Sequence, residues 1–248
     1  IVKSYGKKGE HIVNMNYAAV DRGGEYVKVE IPADWKEITA KFENPNKDRL
    51  APEFVKNIAD IVNAQAGDTL PVSVFADKAD GTIPAGTTAY EKRGVAVNVP
   101  EWQADKCIQC NTCAFVCPHA AIRPFLLTDE EAANAPEEVK LTQGKAVFKE
   151  YKYGLSVSVL DCTGCGNCAD VCPSKEKALV MKPLGTQEAE QANFDYLNAH
   201  VGYKDNVQPK TANIKNAQFA QPLFEYSGAC AGCGETPYIK TITQLFGD

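Results

Sequence analysis

The stretch that decides the fold is residues 107–118, CIQCNTCAFVCP, in which four closely spaced cysteines are followed by a proline. A second stretch of the same form, CTGCGNCADVCP, occupies residues 162–173. Both have the spacing C-x2-C-x2-C-x3-C-P. Aligned at an offset of 55 residues, they share every cysteine, the proline and two small apolar pairs, Ala114 with Ala169 and Val116 with Val171. Thiols clustered in this way, and repeated, are typical of metal binding rather than of disulfides, which usually join distant parts of a chain.

The spacing is that of bacterial ferredoxins, in which each such run binds a [4Fe–4S] cubane. In two-cluster ferredoxins the fourth cysteine of each run ligates the other cluster. The same crossing assigns cluster 1 to Cys107, Cys110, Cys113 and Cys172, and cluster 2 to Cys162, Cys165, Cys168 and Cys117. Zinc is the weaker alternative, because zinc sites usually present two separated C-x2-C pairs.

The two runs predict an α+β fold with pseudo-twofold symmetry, in which each half contains a strand, a cluster loop, a short helix and a second strand. Alternating or apolar segments predict the four strands at residues 93–100, 121–128, 154–160 and 178–183. Between the halves, residues 128–153 are longer than a two-cluster ferredoxin needs. A plain exposed insertion is the favoured interpretation of this segment, and a docking surface is the alternative.

Composition excludes several other classes of protein. The 248 residues carry a formal net charge of −6, which argues against nucleic acid as the main partner. The sequence contains no run of 18 apolar residues, so no membrane helix is predicted. The N-terminus also lacks the apolar core of a signal peptide. The chain starts at Ile1 without a methionine and stops at Asp248, so we expect it to be a piece of a longer polypeptide.

A third cysteine pair, Cys230 and Cys233, lies near the C-terminus. Two thiolates cannot complete a cubane, which takes four. A redox-active C-x-x-C is the alternative, but no thioredoxin-like βαβ pattern surrounds the pair. We expect a third cluster that residues beyond Asp248 complete.

Three segments together resemble the pyruvate:ferredoxin (flavodoxin) oxidoreductase family. They are GACAGCGETPYIK (228–240), YEKRGVAVNVPEWQADKCIQCNTCAFVCPHAAIRP (90–124) and MNYAAVDRG (15–23). The resemblance covers essentially the whole chain and a minor, internal part of the family polypeptide. It implies an enzyme that decarboxylates pyruvate oxidatively on thiamine diphosphate and Mg2+, and passes the acetyl group to coenzyme A. Electrons leave through three [4Fe–4S] clusters to ferredoxin or flavodoxin.

The resemblance also implies the roles of the parts of this chain. Cys230 and Cys233 would supply half of the ligands of the third cluster. Glu235 and Thr236 would face the thiamine diphosphate, whereas the alternative for Thr236 is a helix N-cap before Pro237. The complete enzyme would be a cytoplasmic homodimer from an anaerobic cell, with no membrane insertion, and this section alone would not turn over pyruvate. An independent two-cluster electron carrier is the alternative function.

The predicted domain organisation has four parts. Residues 1–35 would end a preceding domain, 36–98 would form a small linking domain, 99–212 the ferredoxin-like domain, and 213–248 the start of the thiamine diphosphate-binding domain.

A few local predictions complete the sequence analysis. Helices are expected over residues 11–23 and 53–68, the second with Phe54, Ile58, Ile61 and Val62 near one face, and a short strand is expected over 25–32. His119 is expected on the surface, Trp102 in the core, and the charged segment Glu91–Arg93 in solvent.

Overall fold

The computed structural model describes residues 1–37, 44, 50–204 and 206–247. The chain divides into two compact units, Ile1–Pro45 and Asn46–Asp248. Residues 38–43 and 45–49 of the predicted linking domain lie outside the described residues.

The described residues of the first unit form two α-helices, α1 (Val2–Tyr5) and α2 (Glu10–Asp21), besides short 3-10 turns. Helix α2 confirms the helix predicted over residues 11–23. The strand predicted over residues 25–32 is wrong: none of these residues is in a strand, and Tyr26, Val27 and Val29 are exposed. An alternating pattern forms a strand only where a second strand supplies hydrogen bonds, and none of the described residues pairs with this segment.

The second unit opens with a helix that is wider than an α-helix. Val55–Ala59 form a π-helix, which continues as α3 (Asp60–Asn63). The predicted helix therefore exists, but its buried face differs from the prediction, since Val55 is buried and Val62 is exposed. The extra residue in a π-turn rotates the following side chains around the axis, which a sequence period of 3.6 does not anticipate.

Two small antiparallel sheets carry the cluster loops. Strand β1 (Asn98–Trp102) pairs with β5 (Leu179–Pro183). In the second sheet β4 (Lys152–Val157) lies between β2 (Ile122–Leu127) and β3 (Thr142–Gln143). The mixed α+β fold is confirmed.

The first strand begins later than predicted, at Asn98 rather than at Arg93. Gly94 has a φ of +59°, and its N–H donates to Leu160 O over 2.8 Å. The carbonyl of Val97 accepts from Leu184 N over 3.0 Å. Leu184 directly follows β5, so its bond to Val97 extends the pairing of these two strands, whereas Gly94 bonds to Leu160 instead. Regular pairing of β1 with β5 therefore begins at Asn98.

Short helices connect and cover the sheets. They are α4 (Thr112–Val116), α5 (Asp129–Asn134), α6 (Asn167–Asp170), α7 (Ala189–His200), α8 (Ile214–Ala217) and α9 (Thr236–Phe246). Helix α5 begins with a capping box, in which Thr128 and Glu131 bond each other's backbone N–H groups. None of the helices in the described part of the chain is long and apolar enough to cross a bilayer.

The core joins the sheets to the cluster loops. One buried cluster contains Val99, Trp102, Leu126, Tyr153 and Val157 together with Cys113 and Cys168. A second cluster packs Phe194 and Leu197 of α7 against Phe125 and Leu127 of β2. Trp102 packs edge-on against Tyr153, with ring centroids 5.9 Å apart, which confirms its core position.

The segment between the two halves is not a plain exposed insertion. Phe148 is buried, and its ring lies 5.0 Å from that of Phe219. Gln143 and Lys145 make hydrogen bonds to Gln109 in the first cluster loop. The favoured interpretation is therefore wrong for residues 142–148, because an apolar side chain and two backbone groups anchor them to the fold.

Candidate metal centre

The two cysteine loops have the same local backbone conformation. The residues two and four positions after the first cysteine have positive φ in both: Gln109 (59°) and Asn111 (60°) in the first loop, and Gly164 (69°) and Gly166 (81°) in the second. Helices α4 and α6 then begin at equivalent positions, Thr112 and Asn167. Each short helix carries the third cysteine of its run, Cys113 in α4 and Cys168 in α6.

Backbone N–H groups point at sulfur atoms at equivalent places. Gln109 N donates to Cys107 Sγ and Gly164 N donates to Cys162 Sγ, both over 3.4 Å. Ala178 N donates to Cys172 Sγ over 3.3 Å. Such donors favour the thiolate form and the added negative charge of a reduced cluster.

Hydrogen bonds of side-chain amides hold the first loop, whereas glycines occupy the equivalent positions of the second loop. Gln109 donates to Gln143 O over 2.8 Å and accepts from Lys145 N over 2.9 Å. Asn111 accepts from the Tyr153 hydroxyl over 2.8 Å and donates to Lys215 O over 2.9 Å. These bonds fix positive φ at two residues that are not glycine. Sequence reasoning missed both roles, although the alignment of Asn111 with Gly166 was a usable signal.

The structure brings the four proposed ligands of cluster 2 together. Cys117, from the first run, lines the same cavity as Cys162, Cys165 and Cys168, from the second. Apolar side chains, among them Ile122 and Val157, complete its wall. Two runs separated by more than forty residues of sequence therefore meet at one concave site.

The first three proposed ligands of cluster 1 lie on one loop, and residues that follow Cys172 contact the chain just before that loop. Ser174 Oγ donates to Lys106 O over 2.7 Å, directly before Cys107. Lys106 also forms an ion pair with Glu176 at 3.8 Å. The chain that follows Cys172 is thus attached to the chain that precedes Cys107.

The chemistry of the buried thiols fits a metal cluster. Burial raises the pKa of Cys162 to about 12, and it also raises the pKa values of Cys113 and Cys168. Repulsion between neighbouring thiolates adds to the effect in each case. Without a compensating cation these thiols would stay protonated, whereas metal binding displaces the protons.

Across the described residues, which include all ten cysteines, no three Cys, His, Asp or Glu side chains are close enough to hold one metal ion.

The third cysteine pair lies beside the second loop. Gly232, between Cys230 and Cys233, has a φ of +73°, and a Cβ placed on it would lie 3.5 Å from Cys165 Cβ. Hydrogen bonds from the backbone N–H groups of Thr236 and Glu235, at the start of α9, lower the pKa of Cys233. The pair is therefore in contact with the loop proposed to hold cluster 2.

The structure corrects the predicted cap of α9. Thr236 is the first helical residue and is buried, whereas Glu235 occupies the N-cap and is exposed. Pro237 then follows within the first turn, where its missing N–H costs nothing.

His119 is buried, so its predicted surface position is wrong. Its Nδ1–H donates to Ser227 O over 3.1 Å, and its carbonyl accepts from Tyr226 N over 2.9 Å. Burial lowers the pKa of the imidazole, although its hydrogen bonds with the backbone of Ser227 and Cys230 act in the opposite direction. His119 therefore attaches the segment before Cys230 to the chain that follows Cys117.

Lys92 is likewise not a solvated surface residue. Its Nζ lies 2.5 Å from Asp161 Oδ2, directly before Cys162, and 5.1 Å from the centre of the Tyr226 ring. The prediction of a solvated segment holds for Arg93, whose side chain is largely exposed and pairs with Glu91. Sequence reasoning missed Lys92 because its partner is 69 residues away.

A buried cation was also missed. Lys240 of α9 is 2% exposed, and its ammonium donates to backbone carbonyls at the end of α4. Burial lowers the pKa of Lys240 to about 8, while the Cys117 thiol acts to raise it. Three backbone carbonyls, of Ala114, Phe115 and Cys117, match the three N–H donors of an ammonium.

Comparison with known families agrees with this geometry. Residues 106–175 match a family described as a 4Fe-4S double cluster binding domain. Residues 40–96 match the EKR family, described as a domain of unknown function.

Similar proteins cover the chain from end to end. A pyruvate-flavodoxin oxidoreductase of Enterobacter agglomerans is 54% identical, and a pyruvate:ferredoxin oxidoreductase of Moorella thermoacetica is 53% identical; each match covers 100% of this chain and 21% of the relative. This chain resembles one section of the pyruvate:ferredoxin (flavodoxin) oxidoreductases. It spans about a fifth of the length of these oxidoreductases. A pyruvate dehydrogenase [NADP(+)] of Cryptosporidium parvum is 44% identical over the whole chain, which forms 14% of that protein.

Proposed function

We propose that this chain is the electron-transfer section of a 2-oxoacid:ferredoxin oxidoreductase, with pyruvate as the substrate of the complete enzyme. The observation that carries the proposal is the cavity shared by Cys117 with the three cysteines of the second run. The crossing of Cys117 is the arrangement of two-cluster ferredoxins. The similarity to pyruvate oxidoreductases over the whole chain supplies the substrate.

The ligand assignment follows the same crossing. Cluster 1 takes Cys107, Cys110, Cys113 and Cys172, and cluster 2 takes Cys162, Cys165, Cys168 and Cys117. When bound, such clusters accept and release electrons one at a time. The chain itself holds the sulfur atoms, donates N–H groups to them and surrounds them with apolar side chains.

The third pair supports a direction for electron flow. Cys230 and Cys233 would ligate a third cluster together with residues outside this chain, and their loop touches that of Cys165. Electrons from the substrate would pass from the third cluster to cluster 2, then to cluster 1 and to the acceptor. An independent two-cluster carrier would have no use for this third pair beside its second loop.

The rest of the proposal concerns the complete enzyme. Thiamine diphosphate, Mg2+ and coenzyme A would serve the pyruvate chemistry, with Glu235 and Thr236 facing the thiamine. Residues 1–35 would form the end of a preceding domain, and residues 36–98 would form a small linking domain. Residues 99–212 would carry the two outer clusters with pseudo-twofold symmetry, and residues 213–248 would begin the thiamine diphosphate-binding domain. The backbone equivalence of the two loops supports that symmetry. We place the enzyme in the cytoplasm as a homodimer.

Ferredoxin and flavodoxin are the proposed acceptors. Relatives are named for ferredoxin, for flavodoxin and for NADP(+). The shared section thus occurs in proteins with different named acceptors, which suits a role in relaying electrons rather than in selecting the acceptor.

The test uses the full-length protein from the parent gene, purified without oxygen. We expect ferredoxin or flavodoxin to be reduced only when pyruvate and coenzyme A are both present. Cys117→Ser should abolish reduction of the acceptor while leaving the enzyme folded. Acceptor reduction that proceeds equally well without pyruvate, from another electron donor alone, would support the independent carrier instead.

A further inference from the structure

Two lysines hold equivalent positions in the two halves of the cluster domain. Lys240 Nζ donates to Phe115 O over 3.1 Å and to Cys117 O over 3.2 Å. Lys177 Nζ donates to Asp170 O over 2.8 Å and to Cys172 O over 2.9 Å. The accepting carbonyls are the same two positions of the repeat, at the offset of 55 residues. Each ammonium thus caps the helix that precedes a fourth cysteine.

The two lysines differ in origin and in burial. Lys177 comes from the loop just after its own helix and is exposed. Lys240 comes from α9, which follows the third cysteine pair, and it is almost completely buried. Water screens the charge of Lys177, whereas the charge of Lys240 acts through a medium of low dielectric constant.

The buried charge has no carboxylate partner. None of the ion pairs formed by the described residues includes Lys240. A buried ammonium is costly unless a nearby negative charge compensates it. A short helix end supplies at most about half a negative charge. Its ammonium instead donates to the carbonyl of Cys117, a proposed cluster ligand, over 3.2 Å.

We propose that Lys240 is a positioning residue that raises the reduction potential of the cluster held through Cys117. The inference rests on the ligand assignment of the proposed function. Thiolates and an iron–sulfur cluster carry net negative charge, and reduction adds one more. A fixed buried cation favours that added electron, and its donors also hold Cys117 in place. Because Lys240 belongs to α9, the segment of the third pair sets a property of cluster 2.

The experiment measures cluster potentials by EPR-monitored redox titration of the full-length protein from the parent gene, purified without oxygen. Lys240→Met removes the charge at similar length, and Lys240→Arg keeps it. Lys177→Met is the matched control at the equivalent carbonyls. The Cys117→Ser and Cys172→Ser variants assign each signal to its cluster.

At a fixed ambient potential we expect Lys240→Met to lower the ratio of reduced to oxidised cluster 2 by about tenfold, which is about 59 mV for a one-electron couple. Lys240→Arg should keep most of the wild-type ratio. Lys177→Met should change the ratio of cluster 1 by less than about threefold, since its charge is solvated. If Lys240→Met loses iron, the same comparison is made with Lys240→Gln. This variant removes the charge but keeps a neutral N–H donor.

Two outcomes overturn the proposal. One is a Lys240→Met or Lys240→Gln variant with full iron content and an unchanged ratio for cluster 2. The other is an arginine variant that shifts as far as the methionine variant. Wild-type chain that binds no iron would instead defeat the proposed function itself, so the two failures are distinguishable.

Discussion

The two cysteine loops reach the same backbone conformation by different means. In the second loop, glycines occupy the positions of positive φ. In the first loop, Gln109 and Asn111 occupy them, and each is fixed by buried amide hydrogen bonds. The second loop, here called the glycine loop, depends on the absence of a Cβ at these positions. The first loop, here called the amide loop, depends on hydrogen bonds to distant segments of the chain. The same cysteine-loop conformation can therefore be held locally or by the surrounding fold.

The largest effect is expected from the fourth cysteines, where the loops exchange ligands. Cys117→Ser should remove the iron of cluster 2, and Cys172→Ser should remove the iron of cluster 1, because each of these cysteines ligates the cluster held by the other run. Iron should fall by about half in each variant, from about eight atoms per chain. Cluster-selective EPR identifies which signal is lost. A Cys117→Ser variant that lost cluster 1 and kept cluster 2 would refute the crossing.

The glycine loop should be sensitive to a single methyl group. At Gly164 an added Cβ would lie 2.9 Å from Asn98 O, and the φ of +69° is unfavourable for alanine. We expect Gly164→Ala to destabilise the cluster-loaded chain by about 2–4 kcal/mol. The urea concentration at which cluster absorbance is half lost measures the effect.

Gly166→Ala is the matched control for that substitution. Its φ is +81°, but nothing lies within 4 Å of an added Cβ. The expected cost is only the backbone strain, about 1–2 kcal/mol. Equal costs at the two positions would show that close contact with Asn98 does not constrain this loop.

The amide loop should respond to loss of a distant partner. Asn111→Gly gives the first loop the residue that the second loop has, and it leaves the Tyr153 hydroxyl without its acceptor. Because this hydroxyl is buried, we expect a loss of about 1–3 kcal/mol in the same urea assay.

Tyr153→Phe removes the same hydrogen bond from the other side and keeps the Asn111 side chain. The effect should be smaller than that of Asn111→Gly, since Asn111 still donates to Lys215 O. If Asn111→Gly were instead stabilising, the first loop would be held locally, and the comparison between the loops would fail.

Much of the candidate site could be predicted from the sequence because its signal is local. Residues close in the chain carry the cysteine spacing, the repeat offset and the positions of the four predicted strands along the sequence. The amide bonds of Gln109, the pairing of Lys92 with Asp161 and the cap formed by Lys240 could not be predicted. Each joins segments more than thirty residues apart, and nothing in the local pattern specifies the partner.

Errors in the predicted elements have the same origin. Residues 93–97 alternate like a strand, but Gly94 bonds to Leu160 rather than to β5. The helix after residue 53 ends at Asn63 rather than at residue 68, and it buries Val55 while Val62 is exposed.

The smallest expected effect concerns the insertion that supports the amide loop. Burial acts to raise the pKa of Glu131, but hydrogen bonds from Lys204 and Thr128 outweigh it and lower the pKa. A lowered folded-state pKa means that Glu131 stabilises the chain above the unfolded value of about 4.3. That contribution is lost as the pH falls through the folded-state pKa.

Glu131→Gln should therefore cost about 0.5–1 kcal/mol at pH 7 and almost nothing at the acidic end of the transition. Urea unfolding of wild type and variant at several pH values measures the difference. A cost that grew as the pH fell would contradict the assigned ion pair with Lys204.

The central claim is that the duplicated cysteine runs hold two iron–sulfur cubanes whose ligands cross between the runs. Iron, acid-labile sulfide and zinc analysis of the anaerobically reconstituted chain, combined with EPR after dithionite reduction, tests it most directly. We predict about eight iron and eight sulfide per chain, no bound zinc, and a spectrum broadened by two neighbouring reduced clusters. A colourless chain that binds zinc in place of iron, or one that saturates at four iron with a single isolated signal, would contradict it.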